Sequence, residues 1–193
     1  MKLRSLILVS LFAAVTSVLA QVSIPVPFSP VPITGQTFAV FLAGAILGSR
    51  LGAMSILVYM LLGAIGLPVF AQAKAGIGVI VGYTGGYLFG FVAGAYILGK
   101  IVEGHSQAGY WRILAGMVAC LVIVYTLGAI QLALVLGWPM QKAVMIGVVP
   151  YLPLDGLKMA LAAGVALSVR RSLFAAGLLP ASTAKTAEGR LPV

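Results

Sequence analysis

Long apolar stretches, separated by short breaks rich in Gly, Pro or basic residues, organise this chain. No Asp, Glu, Lys or Arg occurs over residues 5–49, 51–73, 75–99 or 113–141. A helix crosses a bilayer core of about 30 Å with roughly 20 apolar residues, so each stretch suffices for at least one crossing. The pattern predicts an all-α, polytopic integral membrane protein.

Turn chemistry places the breaks. A first span is expected over 5–21. Its basic start at Lys2 and Arg4, its apolar run and Val18-Leu19-Ala20 before Gln21 also suit a cleaved signal peptide. The run is longer than most signal cores, so it is counted as a span. Residues 23–32 carry four prolines and are expected to form an extended loop, neither helix nor sheet. A tight turn at 48–52, tipped by Arg50, separates span 2 (34–48) from span 3 (51–66), both shorter than a usual crossing. Gly66-Leu67-Pro68 ends span 3, and a small-residue loop to 79 leads to span 4 (80–99). The connection 100–112 is the most polar inside the chain and holds Glu103 and His105. Span 5 follows to 136, Trp138-Pro139 closes it, the 137–150 loop comes next, and span 6 runs over 151–169. The expected organisation is one six-helix membrane domain over 1–172 and a flexible cytoplasmic tail over 173–193.

Composition agrees: of 193 residues, 62% are hydrophobic and 8% charged, against about 25% charged in a soluble domain. That excludes a soluble enzyme and a disordered binder. The formal charge of +9 would suggest nucleic acid in a soluble protein, but here the basic residues sit at the ends of apolar runs, so no nucleic-acid partner is expected. With six crossings, Lys2, Arg4, Arg50, Lys100, Arg112, Arg170, Arg171, Lys185 and Arg190 share one side, and Lys74 and Lys142 the other. The positive-inside rule then places both termini in the cytoplasm.

Asp155 and Lys158 are the ionisable residues left inside a span, within Tyr151-Leu-Pro-Leu-Asp155-Gly-Leu-Lys158. Each costs roughly 2.5–3.5 kcal/mol to insert and by default marks a functional site. Three residues apart, they share a helix face, with Tyr151 one turn above Asp155. They either neutralise each other or bind a ligand with a carboxylate for Lys158 and N–H donors for Asp155. Gly82, Gly86, Gly90 and Gly94 recur every fourth residue and suit close helix packing or a flat ligand. Tyr83 and Tyr87 are interfacial, or Tyr87 contacts a ligand. Ser10 with Ala14 and Ala13 with Ser17 form small-residue pairs that suit docking of another membrane protein. Cys120 reads as a buried core residue and His105 as solvated, so no metal and no cofactor are expected. No nucleotide loop, metal motif or nucleophile with a base is present, and an enzyme is not expected.

Four segments carry a resemblance: Pro32-Ile-Thr-Gly-Gln-Thr37, Tyr59-Met-Leu-Leu-Gly-Ala-Ile-Gly-Leu-Pro-Val-Phe70, Gly82-Tyr-Thr-Gly-Gly-Tyr-Leu88 and Leu154-Asp-Gly-Leu-Lys158. In this order they resemble the signature segments of the BioY family, the biotin-binding S components of energy-coupling factor (ECF) transporters. Tyr83 stands where many members have proline. The resemblance implies a six-helix subunit in the bacterial cytoplasmic membrane that captures biotin from outside. It also implies a transmembrane coupling protein and two ATP-binding cassette subunits as partners. It points most firmly to Asp155 and Lys158 as ligand contacts and extends to Tyr87 and the loop around Gln72 and Lys74; Gln36, Gly86 and Tyr151 complete the candidate binding residues. The 23–36 loop is the expected lid. An autonomous vitamin carrier or channel working without an ATPase is the alternative, and the small-residue faces leave room for a homo-oligomer.

Overall fold

The computed structural model describes residues 3–103 and 108–175. The apolar runs form helices α1 (Leu3–Gln21), α2 (Gln36–Leu42), α3 (Gly48–Ala64), α4 (Ile77–Val81), α5 (Gly85–Glu103), α6 (Tyr110–Leu136), α7 (Met140–Gly147) and α8 (Leu152–Ala175). A π-helical turn, Ala43–Leu47, continues α2, and 3-10 turns occupy Ala71–Ala73 and Val149–Tyr151. Five helical stretches are long and apolar enough to cross a membrane: Leu3–Gln21, Gln36–Ala64, Gly85–Glu103, Tyr110–Leu136 and Met140–Leu173.

The stretch Gln36–Ala64 is not straight. Gly48 adopts φ 84° and ψ −175°, which a side chain resists, and the chain folds back there. A Cβ on Gly52 would lie 2.8 Å from the carbonyl oxygen of Ala43. Nine residues of continuous helix would instead separate these positions by about 13 Å. The turn read at 48–52 is therefore real, and it joins two short antiparallel arms.

Four expectations are corrected. The proline segment is a β-hairpin, not an extended loop: β1 (Ser23–Val26) pairs antiparallel with β2 (Ser29–Thr34), with Ser23 opposite Thr34, Ile24 opposite Ile33 and Val26 opposite Ser29. Both strands are edges, and Pro25 falls at the irregularity between Ile24 and Val26, so the missing N–H groups are tolerated. The fourth long helix starts at Gly85 rather than near 80, because the extended backbone of Gly82 separates α4 from α5. Gln131 on α6 holds that break by donating to the carbonyls of Ile80 (2.9 Å) and Gly82 (2.7 Å). The 137–150 connection is mostly helical, containing α7. The last helix continues to Ala175, past the expected start of the tail. His105, Lys2, Lys185, Arg190 and the tail over 176–193 lie outside the described residues.

Small residues set the bundle's spacing. On α5, Gly86 faces the backbone of Leu127, Gly90 faces Val124, and Gly94 faces Cys120, so α5 and α6 approach almost backbone to backbone. The core includes Phe41, Ile56, Tyr59, Phe70, Leu98, Ile113 and Met117, all nearly solvent-free.

Polar contacts close one end of the bundle. Glu103, at the end of α5, accepts hydrogen bonds from the Ser49 backbone N–H (2.8 Å) and hydroxyl (2.7 Å). Arg170 of α8 donates to Ala45 O at 2.8 Å, and Arg112 Nε donates to Ile101 O at 2.7 Å. Arg50, Lys100 and Arg171 belong to the same end. The hairpin, the 67–84 segment, α7 and the start of α8 gather at the other.

A Cβ on Gly90 would sit 2.6 Å from Val124 Cα, whereas one on Gly164 would meet nothing within 4 Å. Gly90→Val is expected to destabilise the protein by about 1–3 kcal/mol through overpacking, and Gly164→Ala to leave it unchanged or slightly stabilised. Thermal unfolding in detergent compares the two.

Candidate functional site

Asp155 lies in the first turn of α8 and is 3% exposed. A carboxylate so placed persists only if its oxygens are hydrogen-bonded and its charge is paired. Oδ1 accepts from Lys158 Nζ at 2.7 Å and from the Thr37 hydroxyl at 3.0 Å, while Oδ2 accepts from the Tyr125 hydroxyl at 2.6 Å. Lys158 Nζ also donates to Thr34 O at 2.7 Å and to Thr37 Oγ1 at 3.2 Å. Its three N–H donors therefore meet three acceptors. The cluster joins the end of β2, α2, α6 and α8, and the pair is electrically neutral.

This cluster is one part of the wall of a cavity of about 740 Å³, a volume that includes its open mouth. Phe70, Tyr87, Phe91, Tyr125 and Tyr151 give the cavity aromatic walls, and Val31, Val79, Leu88 and Val124 add aliphatic surface. Polar groups are few: Thr34, Gln36, Thr37, Lys74, Thr84, Asp155 and Lys158. Such a cavity suits a largely apolar ligand with polar groups at defined points.

The sequence candidates divide. Gln36, Lys74, Tyr87, Tyr151, Asp155 and Lys158 all line the cavity. Gln36 donates to Tyr59 OH at 2.6 Å and accepts from the Thr34 hydroxyl at 2.9 Å, which fixes its amide. Tyr87 donates to Gly147 O at 2.8 Å and so pins the end of α7. Tyr151 donates to Val31 O of β2, tying the hairpin to the start of α8. Lys74 is exposed at the mouth, and its ammonium has no partner among the described residues. Gly86 and Gln72 do not line the cavity: Gly86 is pressed against Leu127 and Gln131, and Gln72 is exposed on the 3-10 turn. The pairing of Asp155 with Lys158 was weighed from the sequence as the alternative to ligand binding, and the structure contains it.

Two members of the cluster escaped sequence reasoning. Thr37 ends the Pro32–Thr37 segment without a charge to mark it, and Tyr125 lies in an apolar run. The available signal was a hydroxyl in the middle of a span, which must find a partner. Among the described residues, no buried side-chain nitrogen or oxygen lacks one. No group of three or more His, Cys, Asp or Glu among them could hold a metal ion.

Comparisons with known proteins agree with one another. A model of the BioY family matches residues 1–175. The chain is similar to a biotin transporter BioY of Thermotoga maritima, 42% identical over 169 residues that cover 88% of this chain and 97% of that protein. It is likewise similar to a probable biotin transporter BioY of Pyrococcus horikoshii, 42% identical over 166 residues covering 86% and 96%. Its fold is similar to that in a crystal structure of the S-component for biotin from an ECF-type ABC transporter. There the TM-score is 0.82 at 24% identity, covering 88% of this chain and 92% of the other.

Asp155→Ala is expected to destabilise the protein by about 3 kcal/mol or more, because it strands the Lys158 ammonium inside the bundle. Asp155→Asn combined with Lys158→Met removes both charges and is expected to cost markedly less. Thermal unfolding without ligand makes the comparison; an equal loss in both would mean that the pair's charges do not compensate each other.

Proposed function

The chain belongs to the BioY family, and we propose that it is a membrane-embedded binding subunit that captures biotin for an ATP-driven importer of the ECF type. The observation that carries the reading is the join of one neutral pair, buried Asp155 with part-buried Lys158, to an aromatic cavity with a free cation at its mouth. Biotin offers a ureido ring with N–H donors and a carbonyl acceptor, an apolar bicyclic body, and a carboxylate on a flexible chain.

The sequence alone assigned the carboxylate to Lys158. The ion pair favours a different division. A carboxylate brought to Lys158 would compete with Asp155 for the same ammonium and would add an unpaired negative charge in a low-dielectric site. A neutral ureido group adds none. It can donate to the remaining lone pair of Asp155 and accept from Lys158 in place of the longer bond to Thr37. The carboxylate then reaches the mouth, where the ammonium of Lys74 is without a partner. Gln36 and Tyr151 border the ring's site, and the β1–β2 hairpin, held to Tyr151 and Lys158 through Val31 and Thr34, serves as the lid.

Six crossings, with both termini on the basic side and the cavity facing outward, accord with the fold-back at Gly48 and with the segregation of Arg50, Lys100, Arg112 and Arg170 from Lys74 and Lys142. The location is then the bacterial cytoplasmic membrane. A transmembrane coupling protein and ATP-binding cassette subunits are the partners, and the outward-facing Ser10 and Ala14 on α1 offer them a small-residue face.

Calorimetry with the detergent-purified protein tests the reading. Biotin is expected to bind one to one, with Asp155→Asn and Lys158→Met each lowering affinity by about a hundredfold. Lys74→Met is expected to cost about fivefold for biotin and nothing for its neutral amide. A folded wild type that binds no biotin would overturn the assignment. Biotin flux through the protein alone in liposomes would favour an autonomous carrier.

A further inference from the structure

Gln21, the last residue of α1, lies outside the cavity, yet its side chain spans a turn of the chain that borders it. Nε2 lies 3.2 Å from Ser17 O, 3.4 Å from Pro68 O, 3.2 Å from Val69 O and 3.2 Å from Phe70 O. Oε1 accepts from the Ala73 backbone N–H at 3.1 Å. An amide has two N–H donors, so the carbonyls share them, and both ends of the side chain engage the same loop.

The loop needs such support. Gln72 and Ala73 both adopt left-handed backbone conformations, at φ 61° and 56°, which residues other than glycine avoid. On one side of them Phe70 is fixed in the core, edge-on to Tyr59 at 5.6 Å and set over Gly63. On the other side is Lys74, whose carbonyl accepts from Phe70 N at 3.1 Å. The turn is thus anchored at Phe70, closed by that bond, and held in its unfavourable conformation from α1. Its outcome is the placement of Lys74 at the mouth of the cavity.

We infer that Gln21 is a positioning residue for ligand capture: it sets Lys74 over the cavity mouth and thereby the affinity for the ligand's carboxylate, without touching the ligand. The inference rests on the assignment of that carboxylate to Lys74. It gives Gln21 a role separate from general stability: Phe70, which also lines the cavity, is held in the core against Tyr59 and over Gly63, so loss of Gln21 acts on the turn beyond it, where Lys74 sits. The ureido end is held by Asp155 and Lys158, which Gln21 does not contact.

The test is a double-mutant cycle in the full-length, detergent-purified chain, read by calorimetry with biotin and with biotin amide. Gln21→Met keeps the side-chain length and removes every one of these hydrogen bonds. It is expected to weaken biotin about fivefold and leave the amide within about twofold of wild type, matching Lys74→Met. The two together are expected to weaken biotin no further than either alone. Equal weakening of both ligands, additive losses in the double variant, or no loss at all would overturn the inference. Should the methionine variant not yield folded protein by thermal unfolding, Gln21→Glu, which keeps the acceptor for Ala73 and loses the donors, is read by the same two affinities. A wild type that binds no biotin overturns the functional reading itself; one that binds biotin and the amide alike overturns only the carboxylate site and this role of Gln21.

Discussion

An ion pair in an apolar bundle is a demand on everything around it. Asp155 is buried and Lys158 largely so, and protein groups complete most of their hydrogen bonding; those groups come from separate parts of the chain. Tyr125 brings α6, Thr37 brings α2, and Thr34 brings the end of the hairpin. The position of four elements is thereby tied to one point at the start of α8. The aromatic residues Tyr87, Phe91, Tyr125 and Tyr151 line the cavity beside this point.

Close packing holds the rest of the bundle together. The α5–α6 contact at Gly86, Gly90 and Gly94 leaves no room for side chains, and dispersion between backbones replaces the hydrophobic drive that lipid cannot supply. The small-residue stripe is therefore a packing surface, and its neighbour on the next helical face, Tyr87, is the residue that reaches the cavity. Reading Gly86 as a ligand contact confused the two faces of one helix. Tyr87 serves both sides: its ring lies over Gly128 and its hydroxyl holds Gly147, so the cavity wall is braced by α7.

Hydropathy made the spans legible, and turn residues made the reversal at Gly48 legible, since both signals are local. Asp155 and Lys158 stood out because charge in a span is costly. Thr37 and Tyr125 did not, because a hydroxyl costs less and its importance depends on a partner more than a hundred residues away for Thr37 and thirty for Tyr125. The hairpin was hidden for the opposite reason. Proline forbids a central strand, but two strands alone are both edges, so the rule that removed the sheet did not apply. Gln21 looked like the polar end of a span, and nothing in its neighbours indicates that it closes on a loop some fifty residues later.

The two ends of the bundle are built for different tasks, and this constrains how a captured ligand leaves. At the cavity end the hairpin is tied to α8 and the turn before it by single, individually replaceable contacts, the Tyr151 hydroxyl to Val31 and the Lys158 ammonium to Thr34, while its Thr34 hydroxyl bonds the neighbouring Gln36. At the basic end Glu103 grips the fold-back at Ser49 through two bonds, Arg170 reaches Ala45, and a Cβ on Gly99 would strike the backbone of Ser49. Opening the first end requires exchange of a few single hydrogen bonds. Opening the second requires separating helices that touch at their backbones and breaking charge-assisted bonds together. Access from the hairpin side is thus the low-cost motion. Passage to the basic side demands either a rearrangement of the helices or a reorientation of the subunit as a body, and either must draw on an energy source beyond ligand binding if uptake is to run uphill.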